Sequence, residues 1–198
     1  FGSRISLAIG LTSVVLSACV GIPLGLVAGY YRGRGGDAIM RLADVQYAFP
    51  FIVLAIAIIA TFGSTLINVV VTLALWSWAV FARVARAETL AASQLEYVLA
   101  SKAQGATDRR ILLRHILPNI SPPLIVIATT SVAQMILAES ALSFLGMGVP
   151  PSTPSLGTIL GDGRSYMNIA WWVITFPGLM IMLIVLGVNL FGDGLRDW

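Results

Sequence analysis

The sequence has 198 residues, of which 58% are hydrophobic and only 11% are charged, with a formal net charge of +3. About a quarter of the residues in a typical soluble protein carry a charge, so this composition indicates a membrane protein. The basic residues are few and flank apolar runs, which argues against a nucleic-acid-binding role and for a position at the membrane surface. The single cysteine, Cys19, lies within an apolar run, which excludes an internal disulfide bond and favours a packing role.

Five apolar stretches are long enough to cross a bilayer, which takes about 20 residues. We therefore predict membrane helices at residues 5–31, 39–62, 66–86, 121–145 and 168–192 within a single domain over residues 1–198. Pro50 is expected to bend the second of them, and Gly63-Ser64 separates it from the third. In the first, Gly21, Gly25 and Gly29 recur every four residues, a pattern that predicts close packing against another helix.

The polar segment 94–118 interrupts the apolar stretches and predicts two short helices joined by a turn. We expect Gly105 to end the first helix in a left-handed conformation and Thr107 to cap the second with its hydroxyl. Asp108 then falls in the first turn, where the helix dipole favours an anion, and Pro118 is expected to end this helix. Such a basic, amphipathic hairpin either lies on anionic headgroups or docks another protein, and sequence physics alone leaves both interpretations open.

The basic residues are distributed unequally between the two sides that five membrane helices define. Arg4 and Arg164 fall on one side, and the other ten lysine and arginine residues fall on the opposite side. The positive-inside rule therefore places the hairpin 94–118 in the cytoplasm and the Pro/Gly/Ser-rich loop 146–167 outside.

No catalytic motif is present in the sequence. It has no phosphate-binding loop, no His-Glu-x-x-His zinc site and no Gly-x-Ser-x-Gly nucleophile elbow. The only histidine, His115, has no acid, nucleophile or second metal ligand near it in sequence, so we interpret it as a surface or docking residue. We predict neither enzymatic activity nor a metal site.

The hairpin carries a pattern that is typical of a known family. The run Ala-Ser-Lys-Ala-Gln-Gly, nine residues, and then His-Ile-Leu-Pro resembles the "EAA" loop of bacterial ABC importer permeases. Residues 99–101 take the Glu-Ala-Ala positions, with Leu99 and Ser101 departing from the pattern, while Gly105 takes the glycine position and Leu117-Pro118 the end. The segments GSRISL, ESALSFLGMGVPPSTPSLG and NLFGDGLRD resemble the dipeptide/oligopeptide/nickel branch, so the resemblance extends over nearly the whole chain.

The resemblance implies an all-α, type I ABC importer transmembrane domain in the bacterial cytoplasmic membrane, resembling the C-type subunit of dipeptide permeases. It implies a second homologous permease subunit, two cytosolic ATPase subunits that hold ATP and Mg, an external solute-binding protein and no cofactor in this chain. The hairpin would then be a coupling helix that contacts the ATPase through Leu99, Ala100, Ser101, Gly105, Ala106, Asp108, Arg109, Leu117 and Pro118. Permeases of this branch carry one more membrane helix, so we expect one to precede Phe1 in the full-length protein.

Glu139 is the acidic residue that we place deepest within a predicted apolar helix, where carboxylates often mark a pathway. It lies about 30 Å along that helix, so we expect it near the outer interface, within reach of water. We hypothesise that it faces the translocation path and meets a cationic group of the cargo, although a structural role is an equal alternative. Gln46 and Gln134 are further path candidates, but such side chains more often bond across helices.

Other functions and cargoes stay open on the sequence alone. A secondary transporter or channel subunit needs no ATPase, but such proteins tend to carry coupling acids or broken helices in matching halves, and this sequence offers little of either. A non-transporting scaffold is a third possibility. Within the importer interpretation we favour di- and oligopeptides on family likeness, with nickel, glutathione or another small solute as alternatives.

Overall fold

The computed structural model describes residues 2–150 and 152–196, and regular structure in this part of the chain is helical. The α-helices are α1 (Gly2–Tyr30), α2 (Arg34–Tyr47), α3 (Phe51–Phe62), α4 (Leu66–Ala92), α5 (Glu96–Ala103), α6 (Asp108–Ile111), α7 (Leu117–Phe144), α8 (Leu156–Gly163) and α9 (Trp172–Arg196). A π-helical segment, Leu112–Ile116, joins α6 to α7, and a 3₁₀ turn, Arg164–Tyr166, follows α8.

Among the described residues, four helical stretches are long and apolar enough to cross a membrane, or five if α2 and α3 form one broken span. The prediction of a single helix over 39–62 needs correction, because α2 and α3 meet at an angle of 88°. Pro50 directly precedes α3 with an extended backbone (ψ 130°), and its missing N–H favours a break rather than a gentle bend. Helix α2 begins at Arg34 rather than at 39, because a polar face with Asp37 and Arg41 extends the helical pattern towards the N-terminus.

The glycine stripe of α1 packs directly against α4. Cβ atoms added to Gly21, Gly25 and Gly29 would lie 2.3 Å from the Trp78 oxygen, 2.4 Å from the Ala82 oxygen and 2.7 Å from the Thr89 Cβ, respectively. The hydroxyls of Ser13 and Ser17 extend the same interface by donating to the carbonyls of Val70 and Ala74 on α4.

The Ser17 hydroxyl also bonds the Ser13 carbonyl within α1, at 2.8 Å. Small residues let membrane helices approach until their backbones touch, which dispersion and interhelical hydrogen bonds then stabilise. The close approach of α1 to α4 is therefore a direct consequence of the four-residue spacing in the sequence.

The sequence predicted that the second hairpin helix ends at Pro118 and that the next membrane helix begins at 121. The structure has neither boundary, because the two helices are continuous. The combined helix runs without interruption from Asp108 to Phe144 and accommodates Pro118, Pro122 and Pro123. The Leu117 N–H bonds the Leu112 carbonyl, five residues earlier, within the π segment. A π turn is wider than an α turn, so it leaves room beside the proline ring that a regular helix lacks.

The remaining boundaries shift by a few residues. Helix α4 extends to Ala92 rather than Arg86, so its last turns continue beyond the predicted span. The loop 146–167 is partly helical, because α8 and the 3₁₀ turn lie within it, and α9 begins at Trp172 rather than at 168. At the start of this loop Gly146 adopts φ +77°, which a residue with a Cβ rarely does, and it ends α7 in a left-handed turn.

Candidate functional site

The polar hairpin 94–118 consists of α5, a tight turn, α6, the π segment and the first residues of α7. Gly105 adopts φ +80°, which confirms the left-handed turn expected from the sequence. The Gly105 N–H bonds the Lys102 carbonyl at 3.0 Å, and the Ala106 N–H bonds the Ser101 carbonyl at 3.1 Å. This pair of bonds is a Schellman motif, which satisfies the last carbonyls of α5 and fixes the direction in which the chain leaves it.

The start of α6 differs in one respect from the prediction. Thr107 occupies the N-cap position, but its hydroxyl makes no capping bond. Its carbonyl instead accepts the first helical hydrogen bond, from the Ile111 N–H at 3.0 Å. Asp108 compensates in part, because its carboxylate lies in the first turn, where the N–H groups are otherwise unpaired.

One face of the hairpin is anchored and the opposite face is displayed. Four apolar residues are buried in a common cluster beneath it: Val98, Ile111, Leu112 and Ile116. Leu95, Tyr97, Leu99 and Leu113 remain 43%, 42%, 51% and 52% exposed, respectively. An apolar surface on a segment too polar to lie within the hydrocarbon core is typical of a docking site for another protein.

Some of the residues predicted to contact a partner are exposed on this surface, and the others are half-buried beside it. Exposed residues are Leu99, Ala100, Gly105, Arg109 and Pro118, whereas half-buried residues are Ser101, Ala106, Asp108 and Leu117. Leu117 and Pro118 lie on α7, away from the turn at Gly105. The structure thus brings residues 99–109 together in one knob and separates the two residues at the end of the pattern from it.

The hairpin is attached to the end of α1 through Asp108. The Tyr30 hydroxyl donates to the Asp108 carboxylate at 2.8 Å, and the Lys102 ammonium lies 5.9 Å from the centre of the Tyr30 ring. Desolvation and the negative charge of Asp108 raise the pKa of the neighbouring Tyr31 phenol above its ordinary value. Sequence reasoning did not identify Tyr30, because its partner lies 78 positions away.

We expect Tyr30→Phe to loosen the hairpin without unfolding the bundle, because it removes only the hydroxyl that binds Asp108. A hydrogen bond to a charged group contributes roughly 1.5 kcal/mol, so the amides of Ile111 and Leu112, which bond the Thr107 and Asp108 carbonyls, should exchange their hydrogens about tenfold faster. Hydrogen-exchange mass spectrometry on the full-length protein measures this. Tyr97→Phe is the matched control, and equal exchange in the two variants would contradict the proposed attachment.

Basic residues cluster around the hairpin end of the bundle, as the charge distribution predicted. Arg83 pairs with Asp44 at 2.7 Å and Arg86 with Asp37 at 2.9 Å, and both pairs join α2 to α4. Exposed pairs of this kind contribute little stability, so their main consequence is a fixed position of α2. Arg164 lies at the opposite end, 5.8 Å from the Phe144 ring.

The expectation that Glu139 reaches water is wrong, because its side chain is 0% exposed within this single chain. The Ser6 hydroxyl donates to Oε2 at 3.0 Å and the Ser143 hydroxyl donates to Oε1 at 2.7 Å. Helices α1 and α8 cover the carboxylate, and a further subunit could only bury it more. In this conformation the Glu139 side chain therefore faces the interior of the bundle.

The two glutamines predicted at the path differ in their surroundings. The Gln46 amide donates to the Leu75 and Trp76 carbonyls and accepts from the Trp78 indole at 2.6 Å, so it joins α2 to α4. Gln134 is exposed on α7. A 440 Å³ groove between α7 and α9 contains Asn189 and Asp193 among apolar residues, and Asp193 was not among the predicted path residues.

Metal binding finds no support in the described part of the chain, which holds no group of three or more His, Cys, Asp and Glu residues placed to ligate an ion. His115 is half-buried, with its ring 6.5 Å from that of Tyr97.

Comparison with known proteins adds independent information. The chain is 48% identical over 196 residues to a di/tripeptide transport system permease protein of Pseudomonas aeruginosa and 47% identical to a glutathione transport system permease protein of Pectobacterium atrosepticum. Each alignment covers 99% of this chain but only 65% of the relative. The chain thus spans about 65% of the length of the curated relatives it matches.

The fold is shared with a solved transporter. A chain of the MetNI methionine ABC transporter, in an inward-facing form, superposes with a TM-score of 0.80 at 20% identity, covering 99% of this chain and 93% of that one. This likeness confirms the predicted all-α fold of a type I ABC importer transmembrane domain. A family model described as the binding-protein-dependent transport system inner membrane component matches residues 21–198, in agreement with the predicted bacterial inner membrane location. The chain therefore belongs to the family of binding-protein-dependent transport system inner membrane components.

Proposed function

We propose that this chain is the permease subunit of an ATP-driven importer and forms half of its translocation path. The observation that carries the proposal is the hairpin 94–118, which displays exposed Leu95, Leu99 and Leu113 on either side of the turn at Gly105, at the basic end of the bundle. The positive-inside rule places that end in the cytoplasm, where ATP is available. The displayed surface therefore has the position and the chemistry to dock an ATPase.

The partners follow from this role. We propose that a second homologous permease completes the path, that two cytosolic ATPase subunits bind the two hairpins, and that an external binding protein delivers the cargo. ATP and Mg belong to the ATPase subunits, and this chain performs no catalysis. A channel or secondary transporter, the alternative function, requires no such docking surface.

The mechanism is alternating access driven by differential binding. ATP-bound, closed ATPase subunits bind one arrangement of the two hairpins more tightly than the other, and this difference in affinity shifts the permease pair from inward-open to outward-open. Tyr30 and Asp108 connect the hairpin to α1, and the continuous helix from Asp108 to Phe144 connects it to the outer end. A displacement of the hairpin is thus transmitted to both helices.

The proposed cargo is a di- or oligopeptide. Support comes from the relatives, which are named for di/tripeptide, glutathione and peptide transport. Glutathione is itself a modified tripeptide, so a short peptide is the chemistry that these names share. Binding measurements on the cognate solute-binding protein distinguish peptides from nickel or another small solute.

Co-purification tests the docking role. We expect the full-length protein to be isolated with a stoichiometric ATPase and Leu113→Asp to weaken this association about tenfold or more, because a charge then enters an apolar interface. Met167→Asp is the matched control, since Met167 is similarly exposed (56%) but lies at the opposite end of the bundle. Equal retention of the ATPase by both variants, or its complete absence from the wild type, would refute the importer role.

A further inference from the structure

The buried carboxylate of Glu139 belongs to a hydrogen-bonded cluster that connects three helices. We define the Glu139 cluster as the side chains of Ser6, Glu139 and Ser143 together with the backbone N–H of Leu156. Ser6 lies on α1, Glu139 and Ser143 lie on α7, and Leu156 is the first residue of α8. Ser6 is 0% exposed and Ser143 is 6% exposed, so the cluster is closed to solvent.

Ser6 is the central member because its hydroxyl bonds in two directions. It accepts from the Leu156 N–H at 3.2 Å and donates to Glu139 Oε2 at 3.0 Å. The first N–H groups of a helix have no partner within the helix, so this bond supplies one to α8 from outside. The capping box between Ser155 and Thr158 satisfies other groups at the same end.

Packing brings α8 close enough for these bonds to form. A Cβ atom added to Gly157 would lie 2.6 Å from the Ser140 Cα and 2.7 Å from the Ser143 Cβ, so α8 touches the surface of α7. Helix α8 has only eight residues, and a helix of this length is not stable by itself in water. Its position depends on contacts with α7 and α9 along its length and with α1 at its first turn.

Burial of a carboxylate is costly unless hydrogen bonds compensate it. Within the described part of the chain Glu139 forms no salt bridge. The hydrogen bonds from the Ser6 and Ser143 hydroxyls therefore offset the cost of burying its carboxylate. If α8 moved away from α1, Ser6 would lose one of its two bonds and the carboxylate would lose its cover. The docked position of α8 is therefore favoured by the most buried acid in the bundle.

We infer that Glu139 is a positioning residue that holds the helix α8 against α1 and α7, and that separation of this contact accompanies opening of the outer end. The link to opening rests on the proposed function, whereas the docking itself does not. The loop 146–167 that contains α8 lies at the end opposite the hairpin, which the importer role assigns to the outside.

A cysteine-labelling experiment tests the docking. Leu156→Cys is introduced into the full-length protein in membrane vesicles, in a background with Cys19→Ser, and its reaction rate with N-ethylmaleimide is measured. Leu156 is 5% exposed, so labelling requires α8 to move. We expect Glu139→Ala and Ser6→Ala to raise the rate about fivefold or more, with the isosteric Glu139→Gln in between.

Ser140→Ala is the matched control, because Ser140 is a buried neighbour whose hydroxyl has no hydrogen-bond partner in the described residues. It should leave the labelling rate unchanged. Val98→Cys, buried in the hairpin at the far end, reports general loosening. A Glu139→Ala rate equal to that of Ser140→Ala, or an equal rise at positions 98 and 156, would overturn the inference.

ATP turnover in the assembled complex separates this inference from the proposed function. If α8 restrains the outer end, Ser6→Ala should raise cargo-independent ATP turnover about twofold or more, because the outward-open state becomes more populated. Faster labelling at position 156 with unchanged turnover supports the docking role of Glu139 and overturns the link between α8 separation and opening. A complex without ATP turnover would instead count against the proposed function. Unchanged labelling overturns the docking role, whatever the turnover is.

Discussion

We expect Gly25→Ala to destabilise the folded chain by about 3 kcal/mol, because the added methyl group has no space between α1 and α4. Its Cβ would lie 2.4 Å from the Ala82 oxygen and 2.6 Å from the Ala85 Cβ. Both neighbours belong to the α4 backbone or to its shortest side chain, so no flexible atom can move aside. Relief requires separation of the two helices along the whole interface.

Thermal denaturation of the full-length protein in detergent measures this effect. Gly187→Ala is the matched control, since Gly187 also lies in a long apolar helix but has no atom within 4 Å of its added Cβ. Alanine is a better helix former than glycine, so the control should be neutral or slightly more stable. If the two variants have the same melting temperature, the close contact of α1 with α4 does not determine stability.

The α1–α4 contact was predictable because its signal is contained in one helix. Gly21, Gly25 and Gly29 lie on one face of an α-helix because they are four residues apart. A row of small residues on one face of a membrane helix indicates close packing against another helix. The turn at Gly105 was predictable for the same reason, since the positions that define a helix end are neighbours in sequence. Local signals of this kind need no knowledge of the partner helix.

Glu139 shows where sequence reasoning ends. Its partner Ser6 lies 133 positions earlier in the sequence. A carboxylate that faces a water-filled path and one that is buried against serines have the same sequence environment. The decision depends on which helices cover it, and only the tertiary structure shows that α1 and α8 do.

At two prolines, by contrast, a prediction made from the local steric rule alone was wrong. Pro118 was expected to end a helix, but the π segment Leu112–Ile116 accommodates its ring and the helix continues. Pro50 was expected to bend a helix, but it separates α2 from α3 at 88°. Both residues obey the same steric rule, and the buried contacts on either side decide whether the chain continues or turns.

We expect Gly105→Pro to reduce ATP turnover stimulated by the loaded binding protein more than about tenfold, while the chain still inserts into the membrane. Gly105 adopts φ +80°, and proline is restricted to about −65°, so the turn cannot keep its shape. Proline also removes the N–H that bonds the Lys102 carbonyl. Helix α5, which carries Leu99, would then point away from the face that Leu113 displays.

Gly105→Asn is the matched control for this substitution. Asparagine tolerates the left-handed region better than other residues with a Cβ and keeps the N–H, so the turn should survive with near-normal coupling. Deletion of residues 104–107 should reproduce the proline effect because it removes the turn, together with Ala106 at the edge of the buried cluster of Val98 and Ile111. The sequence has no phosphate-binding loop, so we expect a loss of turnover in these variants to arise through the proposed contact with the ATPase. Normal stimulation in Gly105→Pro would instead favour a hairpin that lies on lipid headgroups and transmits no force.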